Sequence, residues 1–260
     1  MIHQASFKDL PSNFSPLSAS EVENLKSRGP QSDVIPKQEE GIRNSNPLGY
    51  GFNLDGEIDA KKQSFGLTIF NHKEQFGEKT LGVPLHVSSM KPYLDEGKRY
   101  PMKIWSFAVE AGSELSYEWP LGNFADNSYQ IDVFGPNGYY RRFKGSTTES
   151  IAEINVRTEI SNPESPKLIL EVFNNHPEIA FTFVLEDQGY GKARQEFEIE
   201  ANKSKRVILE TPGSFGWYDF AHTIKGNESF ERKFAGRIET GKPTKTDPQM
   251  GFLSQKNQLV

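Results

Sequence analysis

The chain repeats itself at a spacing of about ninety residues, and this internal repeat limits what it can fold into more than any other feature. Three segments recur in register at offsets of 90, 89 and 91 residues. The matched residues are Phe107 with Phe197, Tyr129 with Tyr218, and Gly145 with Gly236. So long a period is typical of duplicated domains, because solenoid repeats are shorter. The sequence therefore predicts two related modules.

A fourth match extends the repeat toward the N-terminus but at a larger offset. The segment LTIFNH at residues 67–72 resembles LEVFNNH at residues 170–176, which gives an offset of 103 between Phe70 and Phe173. The first module is therefore predicted to carry an insertion of about thirteen residues, placed somewhere in residues 75–102.

Composition allows two modest cores and argues against several kinds of partner. With 260 residues, 35% hydrophobic and 12% aromatic, the chain can fill two ordinary domains. A net charge of −5 argues against nucleic acid and does not favour an anionic membrane surface. The absence of cysteine excludes a disulfide framework and a thiol nucleophile. We find no apolar run of membrane-spanning length and no secretory signal, so we expect either a cytoplasmic protein or a piece of a longer exported chain.

From about residue 48 the sequence consists of short segments with period-two alternation, separated by Gly, Asn, Asp and Pro. About seven such segments per module predict an all-β fold of two tandem antiparallel β-sandwiches, with no sheet running through both modules. The predicted organisation is a linker at 1–45, module one at 46–147, module two at 148–244 and a tail at 245–260.

Two local signals are specific enough to predict backbone geometry. A short helix is predicted over residues 20–26, with Ser18 or Ser20 as its N-cap. The segment GPNG at residues 135–138 predicts a turn with Pro136 in its second position, joining strands at 129–134 and 139–144.

The residues offer little for catalysis or metal binding. The five histidines lack metal-ligand spacing, and His72 and His176 are best interpreted as turn residues. Residues 55–59 alternate carboxylates but do not fit the helical calcium loop. No Gly-X-Ser-X-Gly segment is present. The tryptophans Trp105, Trp119 and Trp217 fit a core better than an aromatic cage for a quaternary ammonium group. We give no role to the glycosylation-type matches at Asn13, Asn202 and Asn227.

Several segments resemble a known family, the C-terminal domain, usually present twice, of bacterial phosphocholine-preferring phospholipases C of the non-haemolytic type. The segments that carry the resemblance are FGPNGYYRRFKG at 134–145, SFGWYD at 214–219, FERKFAGRIETG at 230–241 and the Asp-Pro pair at 247–248. Weaker similarity extends upstream to residues 36–41 and 46–50. Phe215 stands where the family usually has His, so any role of that His is lost here.

The resemblance implies a structural role for the family-motif residues. They are Gly135, Pro136, Asn137, Gly138, Arg141, Phe143, Gly145, Ser214, Gly216, Trp217, Tyr218, Asp219, Gly236, Glu239 and Gly241. We predict no catalytic, cofactor-binding or metal-ligating residue in this chain and no cofactor of its own. In such enzymes a large N-terminal domain, missing here, carries the metal-dependent chemistry that converts phosphatidylcholine into phosphocholine and diacylglycerol.

Two classes of function remain open. In the first, the chain is the non-catalytic C-terminal region of a secreted or periplasmic phospholipase C, where it stabilises the enzyme, positions substrate or binds a partner; the implied partners are the missing catalytic domain and a phosphocholine lipid. In the second, it is a free-standing β-sandwich protein that binds lipid or carbohydrate. The open reading frame upstream of Met1 distinguishes the two.

Overall fold

The computed structural model describes residues 15–26, 41–149, 151–162 and 164–250, and the chain divides into two compact units, Met1–Glu40 and Gly41–Val260. In the first unit, helix α1 covers Ala19–Lys26. Ser18 caps it reciprocally, because its Oγ accepts from the Glu21 amide at 3.3 Å while its own amide donates to Glu21 Oε2 at 2.7 Å. This confirms the predicted helix and selects Ser18 as its cap. The rest of the predicted linker before residue 41 lies outside the described residues, as do His3, Asn13 and the tail after residue 250.

The second unit is built from antiparallel strands, and 53% of the described residues lie in strands, which confirms the all-β class. Its first half contains β2 (Asn53–Asp59), β3 (Ser64–Asn71), β4 (Val83–Ser89), β5 (Tyr93–Asp95), β6 (Lys98–Tyr100), β7 (Lys103–Val109), β8 (Ser113–Pro120), β9 (Ser128–Phe134) and β10 (Tyr140–Ser146). Its second half contains β11 (Ala152–Glu159), β12 (Lys167–Asn174), β13 (Phe181–Asp187), β14 (Gln195–Ile199), β15 (Ser204–Glu210), β16 (Trp217–Ile224) and β17 (Asn227–Arg237). Two short strands, β1 (Asn44–Ser45) and β18 (Thr244–Lys245), pair with each other.

The two halves use the same strand order. One layer of the first half is the sheet β2-β3-β8, and one layer of the second is β11-β12-β15. The other layers are β7-β4-β9-β10 and β14-β13-β16-β17. Each strand of the second half therefore matches one of the first, and β5 and β6 are left over. This correspondence supports the inferred duplication.

The expectation that no sheet runs through both modules is wrong. Strand β10 pairs with β17, so the two four-stranded layers form one antiparallel sheet of eight strands. Alternation along a strand shows which face is buried but not which strand lies beside it. Each half nevertheless has its own hydrophobic core, one around Phe65, Trp119 and Phe143 and the other around Phe183 and Phe234.

The turn between β9 and β10 is placed one residue later than predicted. The amide of Tyr139 donates to the carbonyl of Pro136 at 3.2 Å, and the central residues Asn137 and Gly138 have φ values of 55° and 72°. Positive φ at both central positions defines a type I′ turn, whose twist matches that of the flanking strands. Pro136 is therefore the first residue of the turn and not the second.

The predicted insertion is split between two places. The connection from β3 to β4 spans residues 72–82, against 175–180 in the second half. The connection from β4 to β7 spans residues 90–102, against 188–194, and contains the hairpin of β5 and β6. Among the described residues, no helix has the length and apolar character needed to cross a membrane.

Candidate functional site

The seam where β10 meets β17 brings together motif residues from both modules. The register places Arg141 opposite Phe234, and Phe143 opposite Arg232. All four side chains point into the molecule, because they occupy alternate positions on their strands and are at most 3% exposed. Arginine and phenylalanine thus exchange places across the seam.

Each buried arginine donates to the tyrosine of the opposite module. Arg141 Nη2 lies 3.0 Å from the Tyr218 hydroxyl oxygen, and its Nη1 lies 3.0 Å from the carbonyl oxygen of Ala235. Arg232 Nη2 lies 2.9 Å from the Tyr129 hydroxyl oxygen, and its Nη1 lies 2.7 Å from the carbonyl oxygen of Lys144. The two sets of contacts are therefore the same, with the roles of the two modules exchanged.

Aromatic rings stabilise these two guanidinium groups further. The Cζ atom of Arg141 lies 4.0 Å from the centre of the Tyr139 ring, and that of Arg232 lies 4.5 Å from the Phe230 ring. Such stacking favours a buried cation. Carbonyl oxygens, tyrosine hydroxyls and rings therefore take the place that carboxylates usually have around a buried arginine.

Two motif glycines make room for the tyrosines. A Cβ atom on Gly145 would lie 2.6 Å from the Tyr129 hydroxyl oxygen, and one on Gly236 would lie 3.1 Å from the Tyr218 hydroxyl oxygen. Only glycine lets each strand pass this close to the ring. The arginine, tyrosine and glycine of the family motif are therefore parts of one packing unit, used twice.

A second cluster lies at the end of the seam, beneath the turn of β9 and β10. The Asn137 side-chain amide donates to Glu239 Oε1, and Gln75 donates to the Glu239 carbonyl oxygen. Arg237 Nη1 lies 3.5 Å from the same Glu239 carboxylate, and both side chains are nearly inaccessible to solvent. Burial raises the pKa of Glu239 and lowers the pKa of Arg237. This cluster ties the turn of module one to the end of β17 and the segment that follows it in module two.

The remaining motif residues surround this second cluster. Gly216 has φ of 88° and accepts from the Ile238 amide at 2.9 Å, while Ser214 Oγ donates to the Trp217 carbonyl oxygen at 2.6 Å. Gly241 packs beside the ring of Phe76. Trp217 is only partly buried, which corrects its prediction as a core residue, because it lies beside Gly138 at the edge of the seam.

Other motif and core predictions come out as follows. Tyr129, Phe143, Tyr218 and Phe234 are at most 3% exposed, so they are core residues, as the period-two alternation of their segments indicates. Asp219 points to the outer face of the shared sheet, 3.4 Å from Lys233. Burial raises the pKa of Asp219, although Lys233 lowers it in part.

Cavities adjoin the two arginines. One small cleft is lined by Tyr129, Arg232, Glu57 and Glu153, and another by residues that include Arg141 and Tyr218. Burial raises the pKa of Glu57, and the neighbouring Glu153 raises it further. The second cleft shares Gly51, Asn53, Gln75 and Thr158 with a groove of about 470 Å³, whose lining also includes Phe70, His72 and Arg157.

The acidic residues and tryptophans singled out in the sequence lie in other kinds of contact. Within residues 15–26, 41–149, 151–162 and 164–250, no group of three or more His, Asp or Glu is placed to hold a metal ion. Asp55 binds Arg157 through both oxygens, and Asp59 accepts from the amides of Lys61 and Lys62. Trp119 is 1% exposed and packs against Trp105 at 5.3 Å between ring centres, away from Trp217 in the other module.

Sequence reasoning missed one histidine and placed another correctly. His222 is fully buried, and neither ring nitrogen has a hydrogen-bond partner in the described part of the chain. Burial and then Arg232 lower the pKa of His222 to about 3. The sequence contained a signal for this burial. His222 occupies an inward position in the alternation of β16, and the residue that matches it at the repeat offset of 89 is Val133, which lies in the core. His176 accepts from the amides of Glu178 and Ile179, which confirms it as a turn residue.

Comparison with known proteins agrees with these motifs. Residues 47–146 match the family described as bacterial phospholipase C, C-terminal domain. A non-hemolytic phospholipase C of Burkholderia pseudomallei (strain K96243) is 27% identical, covering 84% of this chain and 29% of the relative. The non-hemolytic phospholipase C of Pseudomonas aeruginosa PAO1 is 26% identical, with 95% and 34% covered. The hemolytic phospholipase C of the same strain is 24% identical, with 85% and 31% covered.

The chain spans about a third of the length of the curated relatives it matches. Among solved structures, one of the receptor tyrosine kinase Torso covers 78% of this chain and 77% of that chain at 10% identity. Its TM-score is 0.24, too low to indicate a shared fold.

Proposed function

We propose that this chain, whose residues 47–146 match the family described as bacterial phospholipase C, C-terminal domain, is the non-catalytic accessory region of such an enzyme. In this role it stabilises the enzyme or positions its substrate. The parent enzyme hydrolyses the phosphodiester of phosphatidylcholine, acts outside the bacterial cytoplasm and supplies a separate catalytic domain.

The observation that carries this proposal is that the motif residues make packing contacts within the chain. Arg141, Tyr218 and Gly236 are occupied in joining the two modules. Asn137 and Glu239 join the turn to the segment just after β17. None of these contacts pairs a nucleophile with a base, which is the arrangement that hydrolysis requires. A rigid body made from two modules suits a scaffold role.

The relatives are about three times as long as the segment that matches this chain, which supports its assignment as an accessory region. A segment that matches about a third of several phospholipases C, and whose own motif residues serve packing, is best explained as a region attached to a separate catalytic part. The family of the matched domain is itself described as C-terminal.

The experiment is removal and replacement of the matching region in the Burkholderia pseudomallei relative. We expect the truncated relative to lose thermal stability, or to lose kcat/KM toward a choline phosphodiester, or both. Joining this chain in place of the removed region should restore part of the loss. An unrelated β-sandwich of similar size joined at the same point is the control. Full stability and full kcat/KM after truncation would contradict the proposal.

A further inference from the structure

The groove of about 470 Å³ lies where the two modules meet and has the size of a small-molecule site. Module one contributes Phe70 from β3, together with His72 and Glu74 from the connection that follows β3. Module two contributes Arg157 and Thr158 from β11. Ligand sites are frequent at such boundaries between domains. We call this cavity the inter-module groove.

One wall of the inter-module groove is formed by a segment that differs between the two modules. The connection from β3 to β4 spans residues 72–82, whereas its counterpart in the second half spans only 175–180. The far end of the longer connection is held by the backbone, because the Leu81 amide donates to the Gly49 carbonyl oxygen at 2.9 Å. The second module has this wall only in a shorter form.

The charged groups around the inter-module groove nearly cancel. Arg157 is engaged by both carboxylate oxygens of Asp55, at 2.8 Å and 2.6 Å. Glu74 adds a negative charge beside the His72 imidazole. An anion would therefore meet the Glu74 carboxylate and an arginine that is already paired. A quaternary ammonium group would meet the same guanidinium, whose Cζ atom lies 5.9 Å from the centre of the Phe70 ring. The groove suits a ligand without net charge.

The lining of the groove combines aromatic rings with free donors and acceptors. The ring centres of Phe70 and His72 lie 5.8 Å apart. Within the described part of the chain, the Glu74 carboxylate and the Thr158 hydroxyl have no hydrogen-bond or ion-pair partner, and both residues are exposed. A sugar complements such a lining, because its C–H face packs on an aromatic ring while its hydroxyls both donate and accept.

We propose that the inter-module groove binds a neutral oligosaccharide. The Phe70 ring packs against the apolar face of a sugar ring. The Glu74 carboxylate accepts from sugar hydroxyls, and the Thr158 hydroxyl both donates and accepts. The inference goes beyond the proposed function, because this site belongs to the chain whether or not a catalytic domain is attached to it.

The test is isothermal titration calorimetry of the purified chain with maltose, cellobiose and lactose, and separately with phosphocholine. We expect saturable binding of at least one disaccharide and no binding of phosphocholine. Phe70→Ala should weaken the disaccharide binding at least about tenfold, because the stacking surface is lost. The matched control is Phe173→Ala, which should leave the Kd unchanged. Phe173 is the repeat counterpart of Phe70, is likewise half-buried on the outer face of its sheet and does not line the groove.

Two variants at exposed positions test the polar contacts without threatening the core. Glu74→Ala and Thr158→Val should each weaken disaccharide binding severalfold and leave the melting temperature unchanged, because each removes hydrogen bonds to sugar hydroxyls only. Circular dichroism checks that all variants are folded.

Three results would overturn the inference. The first is no saturable binding of any of the three disaccharides up to about 50 mM. The second is disaccharide binding that survives Phe70→Ala or falls equally with Phe173→Ala. The third is binding of phosphocholine that Phe70→Ala removes, since that ligand is charged. The truncation experiment measures the activity and stability of the relative, so either proposal can fail without the other.

Discussion

The guanidinium of Arg141 in the first module donates to the hydroxyl oxygen of Tyr218 in the second, over a distance of 3.0 Å. The contact between Arg232 and Tyr129 repeats it in the opposite direction at 2.9 Å. Each module thus places its arginine against the tyrosine of the other. Because both arginines are buried, the stability of each half depends on its partner.

The tyrosine hydroxyls are expected to be worth a measurable share of the stability. Tyr218→Phe and Tyr129→Phe should each lower the free energy of unfolding by about 1–3 kcal/mol, because each leaves buried guanidinium donors without an acceptor. Urea unfolding measures the change. Tyr117→Phe, at a position 40% exposed, is the control and should be nearly neutral. Losses as small as the control's in both variants would show that the crossed contacts do not hold the modules together.

Gly145 is expected to be irreplaceable for steric reasons. Gly145→Ala should cost about 1–3 kcal/mol, because its Cβ would collide with the Tyr129 hydroxyl, which is itself held by Arg232. Gly66→Ala, also in a strand, meets only the Glu57 carbonyl oxygen at 4.0 Å and should cost little. Thermal unfolding of the two variants side by side decides the point. Equal melting temperatures would contradict the packing described here.

Phe143 and Phe234 should make large and similar contributions from equivalent places. Truncating either to Ala should cost about 3–5 kcal/mol, because each side chain is 1% exposed and leaves a cavity beside a buried arginine. Phe134→Ala, at an outer-face position 47% exposed, is the comparison. A cost below about 1 kcal/mol at Phe143 or Phe234 would place these rings outside the core.

His222 should make the chain sensitive to acid. Its folded pKa of about 3 lies below the ordinary value of 6.5, so the unfolded chain binds the proton more readily. The contribution of this group to stability is complete above pH 6.5 and falls by about 1.4 kcal/mol per pH unit as the pH drops from there toward 3. His222→Val, which copies Val133, should flatten this part of the pH profile.

The control for His222 is His86→Gln, which replaces an exposed histidine on the outer face and should leave the slope unchanged. Chemical denaturation at several pH values between 7 and 4 gives the two slopes. Parallel profiles for wild type and His222→Val would show that the buried imidazole is not responsible.

Much of the fold was predictable because alternation reports local burial. The strands around Tyr129, Phe143 and Phe234 follow directly from period-two patterning, and the repeat predicts that they occur twice. The pairing of β10 with β17 was not predictable, since it joins residues about ninety positions apart and both strands present polar side chains outward. Arg141 illustrates the reason for the missed contact. An arginine at an inward position conflicts with the usual preference for exposure, and only the partner tyrosine of the other module makes it acceptable.

The central claim is that this chain is a non-catalytic accessory region, and its most direct test is an activity assay on the isolated chain. The chain is incubated with a choline phosphodiester, with and without added divalent metal, and release of phosphocholine is measured. We predict no turnover above that of buffer, because the described residues bring no nucleophile together with a base or a metal site. Turnover that survives repurification and disappears when one histidine, such as His72, is replaced would contradict the account.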